Sequence, residues 1–268
     1  MLVPSVGRLR YLEATPGLDA RPRGTLVLLH AFPLNARMWE RQLALSERGW
    51  RVIAPHFRGF DGGSGDPPAA SIDDYAGDVV DLLDALHVHE AVVGGLSMGG
   101  YAAFALLRHA SRYVRGLILA DTKATADTPE GVEGRKRMIE LVGGKGPVAV
   151  AEEMLPKLLG ETTRRTRPAV VDRVRSLAMS SSAEAIAGAL RALMTRPDST
   201  AQLASIHVPT LIVVGDEDTV TPPSAAAEMH RAIAGSELVS IPEAGHLTNL
   251  EQPEAFDAAM AHFLDHRV

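Results

Sequence analysis

At 268 residues, 46 % hydrophobic and 22 % charged, the chain has the balance of a folded globular protein with room for a substantial core. A net charge of −6 argues against nucleic-acid binding, which depends on neutralising phosphates; the densest basic stretch, Arg164, Arg165 and Arg167, reads as solvated surface. The lack of cysteine removes disulfides, thiolate catalysis and Cys-ligated zinc, and without an apolar leader in residues 1–10 or a run of ~18 apolar residues the expectation is a soluble, cytoplasmic protein.

Short runs rich in Val, Ile and Leu recur along the chain. They fall at residues 25–30 (TLVLLH), 51–54 (RVIA), 91–96 (AVVGGL), 116–120 (GLILA), 209–215 (PTLIVVG) and 237–241 (ELVSI). Runs apolar on both faces suit parallel strands covered by helices. Between them lie helical patterns. Ser71 and Asp74 form a capping-box signature, followed by Tyr75, Val79, Leu82, Leu83 and Leu86 at helical spacing, with Asp78, Asp81 and Asp84 expected on the solvent face. Residues 98–109 are apolar nearly all round and predict a buried helix. Pro222 and Pro223 open a further helix that Gly235 ends, and a last helix starts near Pro253.

Alternating strands and helices predict an α/β fold with a mostly parallel sheet. The alternation stops between residues 122 and 200. Helical patterns at 138–142, 149–159, 171–179 and 185–194 fill that stretch, punctuated by Gly143, Gly144 and Gly146. The expected organisation is therefore a core of residues 1–121 and 201–268, with residues 122–200 inserted as helices.

Gly95-Leu96-Ser97-Met98-Gly99 lies between a predicted strand and an apolar helix. A serine there sits on a sharp, strained turn, and small flanking residues permit the close backbone approach that the turn demands. The helix behind it aims N–H groups at developing negative charge. A serine hydroxyl needs a base. Of ten histidines, His246 follows the last strand and precedes the last helix, at the same carboxyl edge of the sheet. His87, His89, His109, His230, His262 and His266 fall on helices or helix ends and read as surface groups, including the close pair His87-Val88-His89.

The acid that orients the base should follow another strand. Asp218 is favoured, three residues beyond Gly215; Asp216 and Asp121 are its rivals. Two donors must stabilise the oxyanion of an acyl-transfer intermediate. Met98 N–H follows the nucleophile, and Phe32 N–H is chosen from the loop 30–33. His30 is read as structural.

Together these residues resemble the α/β-hydrolase superfamily, across nearly the whole chain. Arg58-Gly59-Phe60 resembles its R-G-x-G-x-S loop. Residues 215–223 (GDEDTVTPP) and 244–256 (AGHLTNLEQPEAF) are similar to the acid and histidine segments of 3-oxoadipate enol-lactonases and small carboxylesterases. The order Ser97, Asp218, His246 is the order described for that fold. Departures are Ala31 in place of a frequent Gly, His56 in place of a common Asp, and Asp61 and Gly63, which disturb the loop spacing. The resemblance implies an α/β-hydrolase fold, with residues 122–200 as a helical cap.

Phe32, Met98 and Leu247, beside the catalytic elements, and Met138, Met154 and Met179 in the insert are the expected substrate-binding residues. Without clustered Arg at motif positions, a neutral, mostly apolar ester or lactone is expected. No cofactor, metal, nucleic acid or membrane is implied, and the chain is expected as a monomer or small homo-oligomer. Carboxylic ester hydrolysis is the leading activity. Enol-lactone or acyl-homoserine lactone hydrolysis, a perhydrolase of the non-haem haloperoxidase kind, and a non-catalytic ligand receptor are the alternatives.

Overall fold

A computed structural model describes residues 5–6, 9–17, 21–60 and 68–268. The departures expected at Asp61 and Gly63 lie outside them. Among the described residues eight strands form one sheet: β1 (Ser5–Val6), β2 (Leu9–Ala14), β3 (Gly24–Leu29), β4 (Trp50–Pro55), β5 (Ala91–Leu96), β6 (Val114–Ala120), β7 (Thr210–Gly215) and β8 (Glu237–Ile241). Their order is β1-β2-β4-β3-β5-β6-β7-β8. β2 pairs antiparallel with both β1 and β4; β3 to β8 run parallel to one another, as the runs apolar on both faces require. Neither β1 nor β2 was among the predicted strands. Leu9 and Tyr11 do alternate with the exposed Arg10, but the adjacent Tyr11 and Leu12 blur that period.

Alternate residues of each strand serve opposite faces. Val27 and Leu29 join the core under α1 (Ile72–Ala85) and α2 (Met98–Ala110). Leu26 and Leu28 join the core under α9 (Pro253–His266) and the short helical turns Ala36–Trp39 and Gln42–Arg48. α7 (Pro223–Ala232) lies between β7 and β8, and the one-turn α8 (Thr248–Glu251) follows β8.

The Ser71–Asp74 capping box forms at the head of α1. One expectation on that helix fails. Asp78 is buried, not solvated, because Arg58 reaches it with two hydrogen bonds of 2.7 and 2.5 Å, neutralising a charge that burial would otherwise penalise.

The insert between β6 and β7 is helical, with α3 (Pro129–Leu158), α4 (Glu161–Thr166), α5 (Pro168–Ala178) and α6 (Ala183–Met194). Gly143 and Gly144 sit inside α3 rather than breaking it. The break falls at Gly146, whose φ of +75° leaves the helical region, just before Pro147, which lacks the N–H to continue the ladder. Among the described residues no helix is long and apolar enough to cross a membrane.

Candidate active site

β5 delivers Leu96 to the carboxyl edge of the sheet, and the chain reverses at once into α2. Ser97 takes the turn with φ +54° and ψ −111°, a conformation a non-glycine residue adopts only when its surroundings impose it. Two glycines make it possible. A Cβ on Gly95 would lie 2.2 Å from Gly99 O, and one on Gly99 would lie 2.1 Å from Leu29 O. Ser97 N–H donates to Ala120 O at 2.9 Å, and the Thr122 hydroxyl donates to Ser97 O at 2.9 Å, so the elbow is tied to the end of β6.

His246 and Asp218 meet this serine in a line. Ser97 Oγ lies 2.8 Å from His246 Nε2, and His246 Nδ1 lies 2.8 Å from Asp218 Oδ2. Asp218 is held from behind: its Oδ1 accepts from Val220 N–H at 2.8 Å and Thr221 N–H at 3.0 Å, and its Oδ2 from the Thr221 hydroxyl at 2.7 Å. Burial would raise its pKa, but His246 and these donors hold the carboxyl below the usual carboxylate range. Burial would lower the pKa of His246; Asp218, with smaller help from Asp121 and Glu251, turns the net shift upward.

The rivals for the acid have other tasks. Asp216 Oδ1 accepts Glu243 N–H at 2.9 Å in the turn after β8. Asp121, completely buried at the end of β6, accepts Gly215 N–H at 3.0 Å through Oδ1. Its Oδ2 takes Thr248 N–H at 3.1 Å and the Thr248 hydroxyl at 2.6 Å. Its carboxyl is pushed up to about 7, first by burial and then by Asp218.

His30 ties down the loop after β3. Its Nδ1 donates to Ala31 O at 3.0 Å and its Nε2 accepts Phe57 N–H at 3.0 Å. Phe32 in that loop and Met98 at the head of α2 are both buried. Among the described residues, neither backbone N–H donates to a protein acceptor.

The expected substrate-binding residues separate. Phe32 and Met98 belong to the core under α2, where Met138 and Met154 of α3 pack half-buried. Leu247 is enclosed in the core on the other face of the sheet. Met179, at the end of α5, is 39 % exposed because the chain turns away there. Two features at this edge escaped the sequence. Asp127 joins Arg135 on α3 to the buried Arg196 beyond α6, with Arg196 Nη1 at 2.7 Å. The Arg196 guanidinium also stacks 4.2 Å over the Tyr101 ring on α2. Glu251, completely buried, accepts three backbone N–H groups around His246. Each arrangement includes a bond between residues far apart in sequence, Asp127 with Arg196 and Gly160 with Glu251, and only Glu251 lay in a quoted motif segment. Among the described residues no group of three or more His, Asp or Glu side chains could hold a metal.

Residues 24–253 match the α/β-hydrolase fold family. The chain belongs to that family. An α/β-hydrolase from Thermogutta terrifontis, a thermophilic esterase solved with malate bound, is 39 % identical; it covers 96 % of this chain and 93 % of its own, with a TM-score of 0.89. The enol-lactonase from Burkholderia xenovorans LB400 is 27 % identical, with 96 % of both chains covered and a TM-score of 0.87. The 3-oxoadipate enol-lactonase 2 of Acinetobacter baylyi is 29 % identical over 92 % of this chain and 90 % of its own. The mostly parallel sheet with helices on both faces is thus the α/β-hydrolase fold, and esterases and lactonases stand among its relatives.

Proposed function

We propose that the chain is a serine hydrolase that cleaves carboxylic esters through an acyl-enzyme, with Ser97 as nucleophile, His246 as base and Asp218 as the orienting acid. The unbroken line of two 2.8 Å contacts from Asp218 through His246 to Ser97 carries this reading. His246 Nε2 takes the hydroxyl proton as Ser97 Oγ attacks the carbonyl carbon. Asp218 holds the Nδ1–H tautomer and stabilises the imidazolium without taking the proton. Phe32 and Met98 N–H face the carbonyl oxygen as it becomes an anion, and a single such donor is worth about 3–4 kcal/mol. The tetrahedral species collapses, and the leaving alkoxide takes the proton from His246. Water then attacks the acyl-enzyme with His246 again as base, and Ser97 is restored.

The insert of residues 122–200 acts in this reading as a cap, with Met138 and Met154 adapting to an apolar acyl group. A lactone is the second substrate class, supported by the enol-lactonase relatives; ring opening uses the same steps, with the leaving alkoxide still tethered to the acyl group. The test is hydrolysis of p-nitrophenyl esters of increasing acyl length beside a lactone panel, with Ser97→Ala as control. Ester turnover that vanishes in the variant is expected. Near-normal turnover by folded Ser97→Ala sinks the mechanism, and turnover of lactones alone assigns the second class.

A further inference from the structure

Glu251 has no part in the steps above, although it is a completely buried carboxylate five residues past His246. Its Oε1 accepts Gly245 N–H at 2.9 Å and Leu247 N–H at 3.1 Å, the amides on either side of His246. Its Oε2 accepts Gly160 N–H, from the helical insert, at 2.8 Å. The intervening His246 N–H donates to Leu158 O, also in the insert, at 3.1 Å. The two backbones are almost in contact there. A Cβ on Gly245 would lie 2.2 Å from Gly160 N. From the other side Arg167, between α4 and α5, donates to Glu251 O and, at 3.0 Å, to Gln252 Oε1.

We propose that Glu251 is a positioning residue for His246 and the pin that docks the helical insert against the base loop. The inference rests on the catalytic reading of His246. The donor set fits an ionised carboxylate, because both oxygens accept backbone N–H groups and the buried Thr163 hydroxyl lies beside them. Burial pushes the Glu251 carboxyl up, and the Thr163 hydroxyl and the three backbone N–H groups oppose that shift. Its charge therefore joins Asp218 and Asp121 in favouring the protonated imidazole of His246. One side chain thus sets where the base stands, contributes to the pH at which it works and couples it to the insert.

Glu251→Gln keeps the shape but offers one acceptor and one amine to three N–H donors. In the full-length protein it is expected to lower kcat for a p-nitrophenyl ester at least tenfold, with KM changed less than threefold. The acid limb of kcat/KM should move to lower pH, and amide exchange of residues 158–162 and 245–247 should speed up. Glu251→Asp keeps the charge on a shorter arm, so it should lower kcat while leaving the acid limb at its wild-type pH. Wild-type kcat with an unmoved acid limb in Glu251→Gln overturns the proposal, as does a fall in melting temperature with kcat/KM unchanged at every pH. If Glu251→Gln does not fold, Glu251→Asp decides: wild-type kcat overturns the proposal and the expected split supports it. Ser97→Ala, assayed alongside, separates the two ideas, since turnover surviving in that variant defeats the catalytic reading whatever Glu251 does.

Discussion

The loops that carry His30 and His246 contain equally buried imidazoles with opposite electrostatics. His30 meets Ala31 O, Phe57 N–H, the rings of Phe57 and Phe60 and a second histidine, His56. Burial, with a small push from His56, drives its pKa down to about 3, against a weaker upward pull from Ala31 O. It stays neutral and holds two stretches of backbone together. Around His246 stand three carboxylates, and the net shift is upward despite burial. Burial alone does not decide whether a histidine is scaffold or base; the charge of what is buried with it does.

The sharpest way to break the comparison is to remove the carboxylate. Asp218→Asn should lower kcat about 10⁴-fold with the fold intact, because the amide no longer enforces the tautomer. A loss below tenfold would transfer the orienting task to Asp121. The opposite change, His30→Leu, leaves Phe57 N–H without its acceptor. It should cost about 1–3 kcal/mol of stability, read as a lower melting temperature, and leave the acid limb of kcat/KM where it was.

The pH profile itself sharpens the contrast. In the proposed mechanism His246 acts unprotonated, and its pKa is raised, so kcat/KM should fall on acidification through a value above 6.5, with no contribution from His30 until far lower pH. The linkage to stability has the reverse sign. A raised imidazole pKa adds stability that is complete below pH 6.5 and is lost as pH climbs through the folded-state value. An acid limb below pH 6 would contradict this electrostatic account. The smallest effect is expected from Thr221→Val, which removes one of four donors to Asp218 and should cost about 1 kcal/mol, a roughly fivefold loss in kcat.

Ser97, His246 and the strands before them were legible because their signals are local: a turn that only glycines permit, apolar runs, and a histidine between a strand and a helix. The same logic found the capping box at Ser71. It failed wherever the partner comes from elsewhere in the chain. Asp78 looked solvated because Arg58, twenty residues earlier, is invisible to a helical period. Asp121 could be named as a rival acid, but its bonds to Gly215 and Thr248 depend on β7 lying beside β6. Arg196 and Asp127 drew no attention because a buried ion pair carries no periodic signature. Glu251 sat inside a recognised segment beside two of its N–H partners, Gly245 and Leu247, yet the third, Gly160, comes from the insert 91 positions away.

The hydrogen bond between Ser97 and His246 joins residues 149 positions apart, and β6, β7 and β8 must line up in order before it can form. A ribosome that has released Ser97 still has more than half the chain to make. Throughout that interval the proposed nucleophile has no His246 beside it. If the proposed triad holds, a covalent reagent selective for activated serines would react only after Ser97 and His246 have met, making this one contact a reporter of folding across residues 97–246.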